Sequence, residues 1–377
     1  MNDDVRSLFE ITKTKTFLNN ASHGPHPEPA RRAMVDYFAR RATNDIPEEE
    51  LGAVVEETRD ELARLVGAPR ETVSIVGNTT MGLSLITAAY PFEPGDEVLV
   101  LDRCFPSAVL PWLHLRGRGV EVRLVPADRY PDLERALDMV TPSTRLLAAS
   151  WVRFFDGYRM DLGEWAAALH ERGVRFVVDG MQGLGVVDVD LPATCVDAMA
   201  AGGAKWLLSP CGTGLLYVAP EFRRELTMPF AGWMQMIEWE AFDDGHFLDY
   251  DVHDPGDGRA FEAGTYPFGL LVGMRESVRL LNEVGIANIE KHVQGLLDRL
   301  VERVEAIPGC GVRSDLSSGH RSGIISLETP DPRVDTERLL ANDVIVSYRQ
   351  GGIRVSPYLF NDEDDIERLV DVLAGDT

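Results

Sequence analysis

Residues 177–214 read VVDGMQGLGVVDVDLPATCVDAMAAGGAKWLLSPCGTG. Two apolar runs in and around this stretch each lead to a charged side chain. Residues 174–178 lead to Asp179, and residues 196–201 lead through Gly202-Gly203-Ala204 to Lys205. Short, near-continuous apolar runs predict strands buried on both faces, the pattern of a mostly parallel sheet. An unpaired charge inside such a core is costly. Ligands of open α/β sheets, however, sit beyond the carboxyl ends of the strands, where Asp179 and Lys205 both fall. The stretch therefore predicts an α/β fold with a site at that edge.

Working outward, further strands are predicted at 73–76, 97–101, 120–125, 145–150, 174–179, 196–200 and 214–218, with helical spacing between most of them. Helices are expected at 27–41, 48–66 and 81–89, the last opened by Gly77-Asn78-Thr79-Thr80 with Asn and Thr placed as caps. Residues 228–258 are acidic and aromatic and read as a long surface loop, a lid or subunit contact rather than a linker. Two long helices, 267–284 and 287–306, precede a smaller α/β unit. Its strands are expected at 322–327, 344–347 and 353–356.

At 377 residues the chain suits about two domains. A net charge of -24 excludes the basic surface that nucleic acids or anionic membranes require. The four cysteines (Cys104, Cys195, Cys211, Cys310) show neither metal-ligand spacing nor a disulfide framework. No metal site is expected. With no apolar leader and no membrane-length apolar run, the expectation is a cytoplasmic protein.

Only four lysines occur: Lys13, Lys15, Lys205 and Lys291. Lys205 alone follows an apolar strand. Desolvation there would lower its pKa and suit Schiff-base chemistry; a lysine snorkelling to the sheet edge is the competing reading. Pyridoxal phosphate (PLP) needs, besides a lysine, a carboxylate at its protonated pyridine nitrogen, a place Asp179 would fill. Asp179 as a plain helix cap would leave Lys205 unexplained. The N-terminus of the helix after Gly77-Asn78-Thr79-Thr80 could cradle a phosphate, although such threonine pairs are often only caps.

In order along the chain, FLNNASHGP (17–25), GNTT (77–80), VDGMQ (178–182), GGAKWLLSPCGTGLLYV (202–218), FEAGT (261–265) and GGIRVSPYLFNDEDDIERL (351–369) resemble the class V aminotransferase group. These are fold-type I PLP enzymes and include cysteine desulfurases, kynureninases and isopenicillin N epimerase. The resemblance implies a large domain (19–262) with a mostly parallel seven-stranded sheet, a small C-terminal domain (263–377) and an N-terminal segment (1–18) packed on the small domain. It makes Lys205 the covalent cofactor residue and acid/base, with Asp179 at the pyridine nitrogen. Gln182 would meet the phenolic oxygen, Phe105 would stack on the ring, and Asn78, Thr79 and Thr80 would hold the phosphate. Thr265 would reach the phosphate of a neighbouring subunit, implying a homodimer with shared sites. Arg354 would clamp the α-carboxylate of an amino-acid substrate, for which guanidinium geometry is suited. Asn20, His23, Arg153 and Tyr158 are expected around that substrate.

The chain also departs from the family. Gly202 and Ala204 replace its usual Ser/Thr and His before the lysine. The loop that carries the sulfur-accepting cysteine of desulfurases is shortened to Ser347-Tyr348-Arg349-Gln350-Gly351-Gly352, without cysteine. The persulfide route is therefore not expected, and C–S β-elimination on a modified amino acid leads transamination and epimerisation. A non-catalytic PLP-fold binding protein is the minor alternative.

Overall fold

The computed structural model describes residues 3–236, 250 and 252–375. Its centre is a seven-stranded sheet of β1 (Val73–Ile75), β2 (Glu97–Leu101), β3 (Glu121–Val125), β4 (Thr144–Ser150), β5 (Arg175–Asp179), β6 (Ala198–Gly202) and β7 (Gly214–Val218). The spatial order is β1-β7-β6-β5-β4-β2-β3. Strands β2 to β6 pair in parallel, and β7 runs antiparallel to both neighbours.

The apolar runs sort by the two-residue period of a strand. Leu99, Leu147, Phe176, Val178 and Met199 enter one core, whereas Val98, Leu146, Val177 and Ala198 enter the other. Burial on both faces explains why these strands are apolar throughout instead of alternating. The helix Thr79–Ala89 lies against the second face. A Cβ at Gly82 would stand 2.7 Å from that of Ala200, so glycine lets this helix approach β6 closely.

Beyond the sheet, the predicted helices appear as Glu28–Thr43, Glu48–Leu65, Phe268–Val284 and Ile286–Glu305. Gly285, at φ 84°, makes the sharp junction between the last two. The C-terminal unit holds a four-stranded antiparallel sheet, ordered Ser347–Arg349, Gly352–Val355, Ile325–Glu328 and Gly311–Val312. The single strand predicted at 344–347 divides in two. Val344–Ile345 pairs in parallel with Thr16–Phe17, so only the residues from Ser347 onward join the larger sheet. Phe9 also packs on Phe360, with centroids 4.7 Å apart.

A buried network joins the loop containing FEAGT to the sheet. Arg59 makes a bidentate pair with Glu262, at 2.7 and 2.9 Å. Glu262 also accepts from the Ile75 N–H and the Tyr266 hydroxyl. Burial opposes the Arg59 charge, but the Glu262 carboxylate outweighs it and holds its pKa above the ordinary value. Part of the predicted 228–258 loop, including Glu238, Glu240, Asp243 and Asp244, lies outside the described residues.

Candidate active site

The carboxyl ends of β4, β5 and β6 open into a cavity of about 570 Å³. Asp179 ends β5, paired in register with Ser150 and Ala200. Its carboxylate accepts from the Met181 N–H at 2.9 Å and the Ser107 hydroxyl at 3.2 Å. Burial pushes this carboxyl above its ordinary value, against those hydrogen bonds and Lys205. Lys205 follows β6 by three residues, where the chain turns at Gly203. A Cβ on Gly203 would sit 2.5 Å from Thr213 Oγ1. Burial pushes the Lys205 amine down to about 8; Arg354 and Arg349 act in the same direction and Asp179 opposes them. Its Nζ stands 5.5 Å from the centroid of Phe105.

At one end of the cavity the Asn78 side chain caps the helix by accepting from the Met81 N–H at 2.9 Å. The Thr79 hydroxyl accepts from the Gly202 N–H at 2.9 Å and ties the helix start to β6. N–H groups at such a start lack intrahelical acceptors and attract anions. Gly202 lies directly against this helix start: a Cβ there would stand 3.5 Å from the Thr79 nitrogen.

Gln182 donates from Nε2 to the Ala21 carbonyl at 3.0 Å and accepts at Oε1 from the Trp206 indole at 2.8 Å. The indole thereby fixes the orientation of the amide and leaves one N–H of Nε2 over. Arg354 is buried without an acidic partner among the described residues. It donates to the Phe154 carbonyl at 2.7 Å and the Ser22 hydroxyl at 2.6 Å, and its Nε has no hydrogen-bond partner. Burial, reinforced by Arg349, depresses its pKa.

Lys205, Asp179, Gln182, Asn78, Thr79, Thr80, Phe105, His23 and Arg354 thus line one cavity. Three expected substrate residues do not. Arg153 pairs with Asp156, at 2.8 Å through Nε, and lies over Phe155. Tyr158 is stacked between Tyr130 and His320. Asn20 is buried beneath the site and donates to the Lys205 carbonyl at 3.4 Å. A local ion pair, a ring stack and a backbone contact engage these three side chains instead. Thr265 is exposed and lines a separate cavity of about 120 Å³ beside Gly77 and Gly212. Sequence reasoning did not single out Ser22, Ser107, Met181, Arg349 or Cys211, which also line the main cavity. Trp206 was likewise missed, although its position next to Lys205 was a signal.

The residues present fit PLP. A lysine of depressed pKa, a buried carboxylate, an open helix N-terminus and a free amide N–H surround a single space. Fold and site together define a fold-type I PLP enzyme. The sequence profile of the Aminotransferase class-V family matches residues 16–369, and the chain belongs to that family, whose cofactor is PLP. The chain is 28% identical to a "Probable cysteine desulfurase" of Methanothermobacter thermautotrophicus, over 98% of this chain and 97% of that one. It is 25% identical to the "Uncharacterized aminotransferase YcbU" of Bacillus subtilis, over 100% and 98%. Its fold matches the solved cystine C–S lyase C-DES with a TM-score of 0.88 at 22% identity, covering 97% and 99% of the two chains. Among the described residues no metal-ligand cluster occurs and no helix is long and apolar enough to cross a membrane.

Proposed function

We propose that the protein acts at Cα and Cβ of a modified amino acid, eliminating a thiol from a cysteine S-conjugate. The observation that carries the amino-acid reading is Arg354, a buried guanidinium with an unpartnered Nε in the same cavity as Lys205. A substrate carboxylate would satisfy it. PLP, when bound, supplies the electron sink that lets the Cα–H bond break. Thr79 and Thr80 would hold its phosphate, and the spare N–H of Gln182 would be available to its phenolic oxygen. The Asp179 carboxylate would keep the pyridine nitrogen protonated, and Phe105 would stack on the ring. With Arg354 holding the α-carboxylate, the Nζ of Lys205 takes the α-proton. Breaking the Cβ–S bond then releases a thiol, and hydrolysis of the remainder gives pyruvate and ammonia.

Two observations favour elimination over persulfide formation. The loop before Arg354 has no cysteine, and Cys104 is held by the Ser150 N–H with its thiol pushed up to about 11 by burial. A second reading, desulfuration, draws on the relatives' names and on Cys211, which lines the cavity beside Gly212. Incubation with cysteine and with a panel of cysteine S-conjugates separates the two. Elimination yields pyruvate and ammonia and survives Cys211→Ser. Alanine release from cysteine that is lost in Cys211→Ser supports desulfuration, whereas consumption of an amino acceptor without pyruvate supports transamination.

A further inference from the structure

Two arginines line the cavity, and the reading above employs only Arg354. Arg349 ends the strand Ser347–Arg349 and opposes Gly352 across the turn Gln350-Gly351. Both turn residues are left-handed, at φ 47° and 83°, a two-residue hairpin that fixes the register of its strands. Arg313 braces the turn by donating to the Gln350 carbonyl at 3.0 Å. Gly352 is packed so closely that a Cβ would stand 2.3 Å from Ser326 Oγ. Arg349 therefore projects from a rigid backbone.

The register also sets the relation between the two arginines. Arg354 opposes Ser347, and Arg349 follows Ser347 by two residues. Residues two apart share a strand face, so Arg349 and Arg354 are diagonal neighbours on one face, a spacing of roughly 7–8 Å. Like charges so placed repel, and Arg349 does depress the pKa of both Arg354 and Lys205. Neither arginine has a carboxylate partner among the described residues; Arg349 donates only to the Tyr348 carbonyl, at 2.8 Å. Among the described residues the one carboxylate lining the cavity is Asp179, which the cofactor would engage. Two guanidinium groups thus stand side by side at the cavity of an acidic chain, with no carboxylate partner among the described residues.

We infer that the substrate is a dianionic amino acid whose second carboxylate, or other oxyanion, is received by Arg349 while Arg354 holds the α-carboxylate. This rests on the Arg354 reading and extends it to the substrate's side chain. The test uses the holoenzyme and unreactive acids, with binding followed by the visible absorbance of the cofactor. Succinate, glutarate and adipate are titrated against butyrate, valerate and hexanoate, their monocarboxylate counterparts of equal length. At least one diacid is expected to bind about tenfold more tightly than its monoacid, the worth of a charge-assisted hydrogen bond. Arg349→Gln is expected to bring that diacid down to the monoacid's level. Equal binding of both acids by the unaltered enzyme, or a diacid preference that survives Arg349→Gln, overturns the inference. The Arg354 reading has its own readout: monoacid binding must weaken in Arg354→Gln. If it does not, that reading fails, and this inference fails with it.

Discussion

Lys205 carries a large electrostatic cost in the cavity. Its amine titrates near 10.5 in the unfolded chain and is pushed down to about 8 in the folded one. Between those values the unfolded chain binds the extra proton, so stability rises with pH across that window. Below about pH 8 the whole penalty, about 3 kcal/mol, is present. Replacing the amine by an apolar side chain of similar length removes it. We predict that Lys205→Met stabilises the apoenzyme at pH 7 by about 2–3 kcal/mol, a net figure that already includes the lost attraction to Asp179. Urea denaturation across pH measures this, and the gain should fade as pH approaches 10.5. A destabilised Lys205→Met at pH 7 would show that the amine is not held in a desolvated site. Stability conceded at one residue is consistent with a group kept for chemistry.

Among the elements, the strand ends and the FEAGT loop do the positioning. Glu262 links Arg59 on the helix Glu48–Leu65 to the Ile75 N–H of β1, and the same loop presents Thr265. Removing one partner leaves a buried charge uncompensated, so Glu262→Ala is expected to cost about 3–5 kcal/mol. Thermal and denaturant unfolding check this, and a loss under 1 kcal/mol would place the pair in water instead. Much of this level was legible beforehand. Apolar runs located every strand of the central sheet, because burial on both faces leaves an unbroken signal. Strand β6 nevertheless runs two residues later than its predicted 196–200, since small residues such as Gly202 pair in a ladder without any hydrophobic signature. Lys205 and Asp179 stood out because charge at the end of an apolar run is rare. Arg153 and Tyr158 misled because sequence proximity to a strand end does not reveal a side chain's partner, here Asp156 and the Tyr130 and His320 rings. Arg349 was hidden for the converse reason: only the hairpin register puts it on the face of Arg354.

At the scale of the whole molecule, the exposed Thr265 beside the phosphate end of the cavity supports a proposed homodimer with shared sites. Complementation tests it. Lys205→Ala protomers and Thr265→Ala protomers are mixed, unfolded and refolded together. If Thr265 serves the partner's site, each mixed dimer regains one intact site, with tight cofactor binding and activity that neither variant has alone. If Thr265 acts within its own chain, mixing restores nothing. The assignment beneath all of this is the attachment of the cofactor to Lys205, and four lysines make it easy to check. Borohydride reduction of the holoenzyme followed by peptide mass mapping should find the pyridoxyl group on Lys205 alone. Its absence there, or its presence on Lys13, Lys15 or Lys291 instead, would contradict the assignment.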